Sequence, residues 1–407
     1  MKHVWILNHY AQEPGGPGGT RHYSLARHLP EHGWSASIIA SSTEHNSGRQ
    51  RLKPEEKLRL QNYDGVPFLW LRGSNYSGNG LDRMTNMLGY TRAALRAENL
   101  SQLQRPDAVI GSSVHPLAAW AGRRLAKRYN VPFLFEVRDL WPQTLIDMGR
   151  LSNQSPISHA LRGLEKSLYK SAARIVVLLP RAGDYIEPLG IPRDKIVWIS
   201  NGVELDDFVP AAPIPRDVFT LMYFGAHGGA NGLDNVLRAM RIVQDDPAGG
   251  KILLRLIGDG PLKPALVAQA QELGLANIRF EDPVPKKMIP QLAAEADAFV
   301  ICVRDLPLLY RYGVSMNKIF DYMAAARPTI IAMDAPNNPI EEAQGGLTVR
   351  PEEPAKLAAA ILDMARLPTD ERIAMGKAAR RHVEEAYGYR YLAGKLASTL
   401  DSCVGKA

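Results

Sequence analysis

Cysteine is nearly absent. Two residues, Cys302 and Cys403, cannot staple a chain of 407, so a disulfide scaffold is excluded and a reducing compartment fits. Long apolar runs are missing as well: no stretch approaches the roughly 20 consecutive apolar residues of a membrane span. The apolar run within residues 1–10 is too short for the core of a signal peptide, and no small-residue cleavage site follows it. The expectation is a soluble, cytoplasmic protein. Metal-ligand spacing is lacking too. His22, His28 and His32 fall along one helical stretch, but no cysteine or carboxylate cluster completes a set, so no metal is expected.

Two nucleotide motifs fail residue by residue. After Gly16 and Gly18, the third glycine of a dinucleotide fingerprint would fall at Arg21, and the terminal Lys-Ser/Thr of a P-loop is missing. Aromatics, 7% of the chain, are not interleaved with basic runs, and no zinc-finger or other nucleic-acid motif is present, so no nucleic-acid partner is expected.

What is present suits a folded α/β protein. Apolar residues make up 45% and charged residues 22%, and the length accommodates two domains. Residues 4–7 read as a strand, residues 13–19 as a Gly- and Pro-rich loop, and Tyr23, Leu25, Ala26 and Leu29 as one apolar helix face. A strand over 36–40 completes a βαβ opening. Strands over 107–111, 132–137, 174–179 and 195–199 alternate with helices over 116–129 and 158–171. A second alternating block starts with a strand at 219–225 and runs through strands 252–257, 278–280, 298–303 and 329–332. Helices are expected over 233–243, 262–273, 289–295 and 317–326. The reading is two doubly wound, Rossmann-like parallel-sheet domains facing a cleft: 1–203, a Pro-marked linker over 204–217, and 218–386. Residues 387–407 would form a terminal helix that packs back on the first domain. Ligands of such sheets bind at the carboxyl ends of the strands.

Charge is divided unevenly. Residues 1–200 hold 26 Lys and Arg against 16 Asp and Glu, a net of +10, whereas residues 201–407 hold 23 against 26. A basic first half suits an anionic partner, with nucleic acid, a membrane surface and a diphosphate-bearing lipid as options beside a plain scatter of solvated charge.

The residues with chemical content sit in loops after strands. The loop with Gly16, Gly18 and Gly19 frees backbone N–H groups at a helix start, where a phosphate fits. The loop over 225–232, with Gly225 and His227, repeats that geometry. Ser315 is read as a helix N-cap, so that the next backbone amides and Lys318 would meet a diphosphate. Asp321, one turn on, is placed to accept the hydroxyls of a ribose. In the first half, His115, Arg138 and Asp139 follow strands and point to the carboxyl edge of the sheet. Cys302 lies within a strand and is assigned to the core.

Taken in order, these pieces resemble the family 4 retaining glycosyltransferases of GT-B fold. The resemblance runs from the N-terminal glycine loop with Leu25-Ala26 through Ser200-Asn201-Gly202-Val203-Glu204, Ile257-Gly258-Asp259-Gly260-Pro261 and Lys318-Ile319-Phe320-Asp321-Tyr322-Met323-Ala324-Ala325 to Gly345-Gly346. Residues 136–142 and 313–322 are similar to a bacterial subgroup that transfers N-acetyl-L-fucosamine or related amino sugars in O-antigen and capsule assembly. The resemblance implies metal-independent, cofactor-free transfer from a UDP-sugar with retained configuration, the leaving diphosphate being stabilised by helix N-termini and basic groups. It implies a donor site of Gly18, Gly19, Gly225, His227, Gly258, Ser315, Asn317, Lys318 and Asp321, and an acceptor site with Gly16 and Arg138. His115 and Asp139 would be the catalytic pair, His115 at the donor sugar. The chain departs from the family at Ala226 and Asn231, where Arg and Lys are usual, and at Gly313, the place of the first of two paired glutamates.

The implied acceptor is a polyprenyl-diphosphate-linked sugar at the anionic inner membrane face, in surface polysaccharide assembly. Residues 81–103, with Met84, Met87, Leu88, Leu95, Arg83, Arg92 and Arg96, are a candidate basic amphipathic contact, or else a helix packed on the sheet. A UDP-sugar 2-epimerase of the same fold and a non-catalytic nucleotide-sugar-binding protein are the rival readings.

Overall fold

A computed structural model describes residues 1–16, 19–44, 48–75, 81–210 and 216–405. Contacts divide the chain into Met1–Ser200 with Tyr389–Ala407, and Asn201–Gly388. Each is built on its own sheet.

The first unit holds strands β1 (Lys2–Leu7), β2 (Trp34–Ser41), β3 (Leu58–Tyr63), β4 (Val66–Leu71), β5 (Ala108–Ser112), β6 (Phe133–Val137), β7 (Arg174–Val177) and β8 (Ile196–Trp198), in spatial order β3-β4-β2-β1-β5-β6-β7-β8. Every pairing is parallel except β3 with β4, a hairpin that the sequence reading missed. Its turn is Asp64-Gly65, both at positive φ, as a tight hairpin turn requires. The central strands are buried on both faces, which is why they read as unbroken apolar runs rather than alternating ones.

On one face Val4 and Ile6 join the core under α1 (Arg21–His28) and the returning terminal helix. On the other lie α2 (Leu81–Leu95), α3 (Pro116–Tyr129) and α4 (Pro156–Ser171). There Trp5 meets Tyr129 of α3 edge to face at 4.9 Å. Pro116 and Pro156 occupy first helical turns, where a missing N–H costs nothing, and Ser155 caps α4 through the Ser158 amide at 3.1 Å.

The second unit is an all-parallel sheet of β9 (Phe219–Phe224), β10 (Ile252–Ile257), β11 (Ile278–Glu281), β12 (Ala298–Cys302), β13 (Thr329–Ala332) and β14 (Gly346–Val349), ordered β11-β10-β9-β12-β13-β14. The short β14 was not anticipated. Its longer helices are α5 (Leu233–Asp245), α6 (Lys263–Glu272), α7 (Asn317–Ala324), α8 (Pro354–Arg366) and α9 (Thr369–Ala386). Val203, expected to end the first domain, and part of the stretch expected as a linker both dock on this unit: Val203 N–H donates to Tyr387 O at 3.0 Å, and Arg380 donates to Phe208 O at 2.8 Å. The final helix, α10 (Tyr389–Asp401), belongs to the first unit and packs along α1.

One residue ties α7 to β9. The buried Tyr322 hydroxyl accepts from Phe224 N–H at 2.7 Å and donates to Phe224 O at 3.0 Å, while its ring stacks on Phe299 at 4.1 Å. This brace sets α7 above the end of β9. Tyr322→Phe keeps the stack but strands two buried backbone groups. It is expected to destabilise the protein by about 1–3 kcal/mol, read as a lower urea midpoint. An unchanged midpoint contradicts the brace.

Candidate functional site

The first unit presents a buried polar network at the carboxyl edge of β1, β5 and β6. Glu136, inside the apolar strand β6, accepts from Arg21 Nε at 2.9 Å and from His22 Nε2 at 2.5 Å. Arg21, 2% exposed, also donates to Ile199 O at 2.9 Å and to Ser200 O. Burial works to raise the Glu136 carboxyl, but His22 and Arg21 hold it well below the usual range. Asn8 fixes the His22 tautomer. Its Oδ1 accepts from Tyr10 N–H at 3.1 Å, so its NH₂ group faces His22 Nδ1 at 2.7 Å and that nitrogen carries no proton. His22 is therefore neutral, in line with the downward shift that burial imposes on it against the pull of Glu136. Arg21 is the cation that balances Glu136.

A second chain of tautomers follows. His115 caps α3: its Nδ1 accepts from Ala118 N–H at 3.3 Å. The proton is therefore on Nε2, which donates to His9 Nδ1 at 2.6 Å; His9 Nε2 in turn donates to Asn86 Oδ1 at 2.7 Å. Burial, with Arg83 adding to it, pushes His115 down to about 3. The expected catalytic histidine is thus a neutral, buried group held by two hydrogen bonds that positions the loop, with neither ring nitrogen free to take up a further proton in this arrangement.

Around the network, Arg138 is half-buried, with its backbone N–H on Ser113 Oγ at 3.2 Å, and Asp139 is exposed. No ion pair joins Arg138 to Asp139 among the described residues. Gly16 is buried in a loop whose base is clamped by Arg51 to Glu13 at 2.9 Å and Gln12 at 3.1 Å; Gly19 is half-buried, and Gly18 lies outside the described residues. Arg83 turns inward to Tyr10, its Nε 3.3 Å from the hydroxyl, and not outward along the stripe expected of it.

In the second unit, the brace at Tyr322 brings Lys318 beside the loop after β9. Its ammonium donates to Tyr223 OH at 2.9 Å and to Asn231 Oδ1 at 2.6 Å. Tyr223 OH and Asn231 Nδ2 both donate to Ala226 O at 2.8 Å. Of the two family positions that lack a cation, Asn231 therefore orients Lys318 directly, and the Ala226 carbonyl holds both Asn231 and Tyr223 in place. Lys318 and Asp321, one turn apart, form no ion pair with each other. Burial lowers the ammonium to about 8. Burial also raises the Asp321 carboxyl to about 6, with Lys286 opposing and Asp207 adding to the rise.

Ser315 does not cap α7. Met316, in extended conformation, holds that place, and no side chain accepts from the first amides. Ser315 Oγ accepts instead from Asn201 N–H at 2.8 Å, and Ser315 O from Asn201 Nδ2 at 2.7 Å. The reason is local: the extended Met316 aims the Ser315 hydroxyl away from the helix. Asn317 Oδ1 is buried with no protein partner.

Gly225 and Gly258 sit at φ +147° and +148°, and a Cβ on Gly258 would overlap Gly225 O. These glycines bring the loops after β9 and β10 into contact. His227, expected at the donor, is fully buried against Tyr223 and Phe280, and both ring nitrogens are without partners. Its side chain is sealed within the unit, and only its backbone joins the loop, through Asp259 O at 2.8 Å. Cys302 is core, its thiol pushed up to about 12 by burial. Among the described residues no cluster of three metal-ligating side chains occurs, and no helix is long and apolar enough to cross a membrane.

Two open parallel sheets, each with glycine loops and charged groups at its carboxyl edge, define the GT-B architecture. Residues 16–202 match the model of the glycosyl transferase 4-like domain, and residues 218–366 that of the glycosyl transferases group 1. Together these span most of the chain, and the protein belongs to the glycosyltransferases of family 4 type. A probable glycosyltransferase, WbjE of Pseudomonas aeruginosa, is 25% identical over 284 residues, 66% of this chain and 68% of that one. The putative colanic acid biosynthesis glycosyl transferase WcaI of Escherichia coli is 20% identical over 210 residues, 48% of this chain; the match spans about half, 51%, of that relative. Among solved structures, the sucrose-phosphate synthase of Thermosynechococcus elongatus gives a TM-score of 0.74 at 16% identity, covering 99% of each chain. Anabaena HepE, solved with UDP and glucose, gives 0.66 at 15%, covering 99% and 100%. WaaG, a glycosyltransferase involved in lipopolysaccharide biosynthesis, gives 0.67 at 13%, covering 99% and 100%. At such identities the solved structures share the fold.

The neutral His115 predicts a pH signature. Below pH 6.5 an unfolded histidine takes a proton that native His115 refuses until about 3. Stability should then fall across that window by about 1.4 kcal/mol per pH unit for this group. His115→Asn keeps the cap on Ala118 and removes the titration. Its melting temperature should be lower at pH 7 but fall less steeply on acidification; a slope equal to the parent's contradicts the assignment.

Proposed function

We propose that the protein transfers a sugar from a UDP-sugar, with retention of configuration, to a lipid-linked glycan in the assembly of a bacterial surface polysaccharide. The second unit takes the donor and the first the acceptor. The observation that carries this reading is the charge arrangement at the start of α7. Uncapped helix amides, the Lys318 ammonium and the Asp321 carboxylate one turn on suit a diphosphate followed by a ribose. As the glycosidic bond breaks, negative charge grows on the leaving diphosphate, and Lys318, already oriented by Tyr223 and Asn231, stabilises it without reorganisation. With Ala226 and Asn231 in place of two cations, Lys318 carries more of that work than its counterpart would in the usual family pattern.

Both ring nitrogens of His115 are engaged, Nδ1 by Ala118 N–H and Nε2 by His9, so its part is to hold the β5–α3 loop. Asp139, exposed at the end of β6, is the carboxylate we assign to the reacting sugar, with Arg138 and the Gly16 loop on the acceptor. The donor we favour is an N-acetylated deoxy amino sugar. The similarity of residues 136–142 and 313–322 to that subgroup supports it. The titrating groups named here need no metal for the charge they supply.

A thermal-shift panel of nucleotides tests the donor site. UDP should raise the melting temperature, and Lys318→Ala or Asp321→Ala should abolish the rise; a rise retained in both variants contradicts the site. The pH dependence has a definite sign. Loss of the Lys318 proton weakens a diphosphate complex as pH rises through about 8, and protonation of Asp321 weakens ribose binding as pH falls through about 6. UDP affinity should peak between the two. Lys318→Ala should flatten the alkaline limb and Asp321→Asn the acid limb, as measured by calorimetry.

A further inference from the structure

The loop after β9 orients Lys318 but has little packing of its own. A Cβ on Gly229 would meet nothing within 4 Å, and one on Gly228 would meet only Asn231 Nδ2 at 3.9 Å. Gly229 and Ala230 are exposed. Behind them a cavity of about 100 Å³ opens between α5 and α6, walled by Leu233, Leu262, Leu266 and Gln269. With solvent on one side and a cavity on the other, the loop keeps its shape through hydrogen bonds. Two of these are its own or its neighbour's: Asn231 N–H donates to Gly228 O at 3.1 Å, and His227 N–H to Asp259 O at 2.8 Å.

Much of the rest comes from Arg304, two residues beyond β12. Its backbone N–H donates to Ala230 O at 3.2 Å and its Nε to Gly229 O at 3.2 Å. Its Nη1 and Nη2 donate to the two carboxylate oxygens of Asp234 at 3.1 and 2.6 Å, and Glu352 Oε1 lies 3.6 Å from Nη1. Asp234 is in the first turn of α5, so one side chain spans the loop and the start of the helix that follows it. A guanidinium suits this task, because its planar fork serves a carboxylate with two bonds while a third N–H remains for a carbonyl; an ammonium cannot reproduce that geometry. The two side chains are 31% and 24% exposed, and ion pairs so near solvent add little to overall stability. The effect of the contact is local.

We propose that Arg304 is a positioning residue: by clamping Gly229, Ala230 and Asp234 it holds the loop after β9 in the shape that presents Asn231 and the Ala226 carbonyl to Lys318 and Tyr223. Its bearing on catalysis rests on the proposed donor site, whereas the clamp itself does not. A loop freed from the clamp holds that shape only part of the time, and the apparent affinity for UDP falls by the same fraction. Lys318 would also regain water. The groups facing its ammonium are Tyr223 of β9, Cys302 of β12, and His227 and Asn231 of the loop. Burial keeps the Tyr223 phenol and the Cys302 thiol protonated and His227 neutral, so desolvation is what brings Lys318 down to about 8. Release of the loop should carry that titration upward, and with it the alkaline limit of UDP binding.

The test joins amide hydrogen exchange of the full chain, without ligand, to UDP calorimetry across pH. In Arg304→Ala the amides of residues 226–232 should exchange about tenfold faster, and UDP should bind about tenfold more weakly. The alkaline limb of UDP affinity should move above pH 8, while the melting temperature falls by no more than about 4 °C. Arg304→Lys keeps the charge without the fork and should fall between parent and alanine variant; it decides the matter if the alanine variant fails to fold. Arg238→Ala removes another ion pair of Asp234, at 2.7 Å, without touching the loop, and should exchange and bind as the parent does. Unchanged exchange in the Arg304 variants overturns the clamp, and so does an equal effect in Arg238→Ala. Faster exchange with parental UDP affinity and alkaline limb overturns the positioning role. A parent that binds no UDP overturns the donor reading and with it the role of Arg304 there, and the exchange data, which need no ligand, tell that failure from failure of the clamp.

Discussion

An ionised carboxylate inside a β-sheet must be compensated, and in the first unit that requirement organises the site. Glu136 draws Arg21 and His22 into the interior, and through them it fixes three elements at once. Arg21 holds the carbonyls that end the segment after β8, His22 holds Asn8 at the end of β1, and both residues begin α1, directly after the glycine loop. Removing the carboxylate would leave a guanidinium buried without its counter-charge, a loss of about 3–5 kcal/mol. The edge that would meet an acceptor is thus set by one buried charge and its partners, with the histidines kept neutral by their hydrogen bonds.

The second unit solves a related problem with less charge. Its loop after β9 lacks the cations usual at Ala226 and Asn231, so a single lysine from α7 serves it, oriented by a phenol and an amide that also hold the loop's own carbonyl. Desolvation weakens that ammonium toward neutrality near pH 8, and a bound diphosphate would restore it. The same desolvation weakens the Asp321 carboxylate. Burial thus brings both titrations toward neutrality, so that the two groups are charged together mainly between about pH 6 and about 8.

Much of the architecture was legible in the sequence because buried parallel strands are apolar throughout and their loops carry glycine. The hairpin β3–β4 escaped because its outer strand, Leu58–Tyr63, is half polar at a sheet edge, although Asp64-Gly65 marked the turn. The site was less legible. Arg21 stood only for a missing third glycine and His22 only for one of three helical histidines, and neither was placed in the site, yet both are buried in it; the signal was the acid at Glu136 within an otherwise apolar strand, which needs a counter-charge nearby. Ser315 had the chemistry of a cap, but a cap depends on the backbone angles of its neighbour, which sequence does not display. His115 and His227 were chosen for their place after strands. Which way each ring turns is decided by packing and hydrogen bonds from distant residues, His9 and Asn86 in one case and Phe280 in the other. Lys318 was legible because spacing along one helix places it.

The central claim is sugar transfer, and its most direct test is UDP release from UDP-sugars with and without a polyprenyl-diphosphate-linked glycan. The account predicts release that depends on the acceptor, yields a product extended by one sugar, and is lost in Lys318→Ala. Conversion of the donor without acceptor would establish the epimerase instead, and UDP-sugar binding with neither outcome would leave a binding protein on a transferase fold.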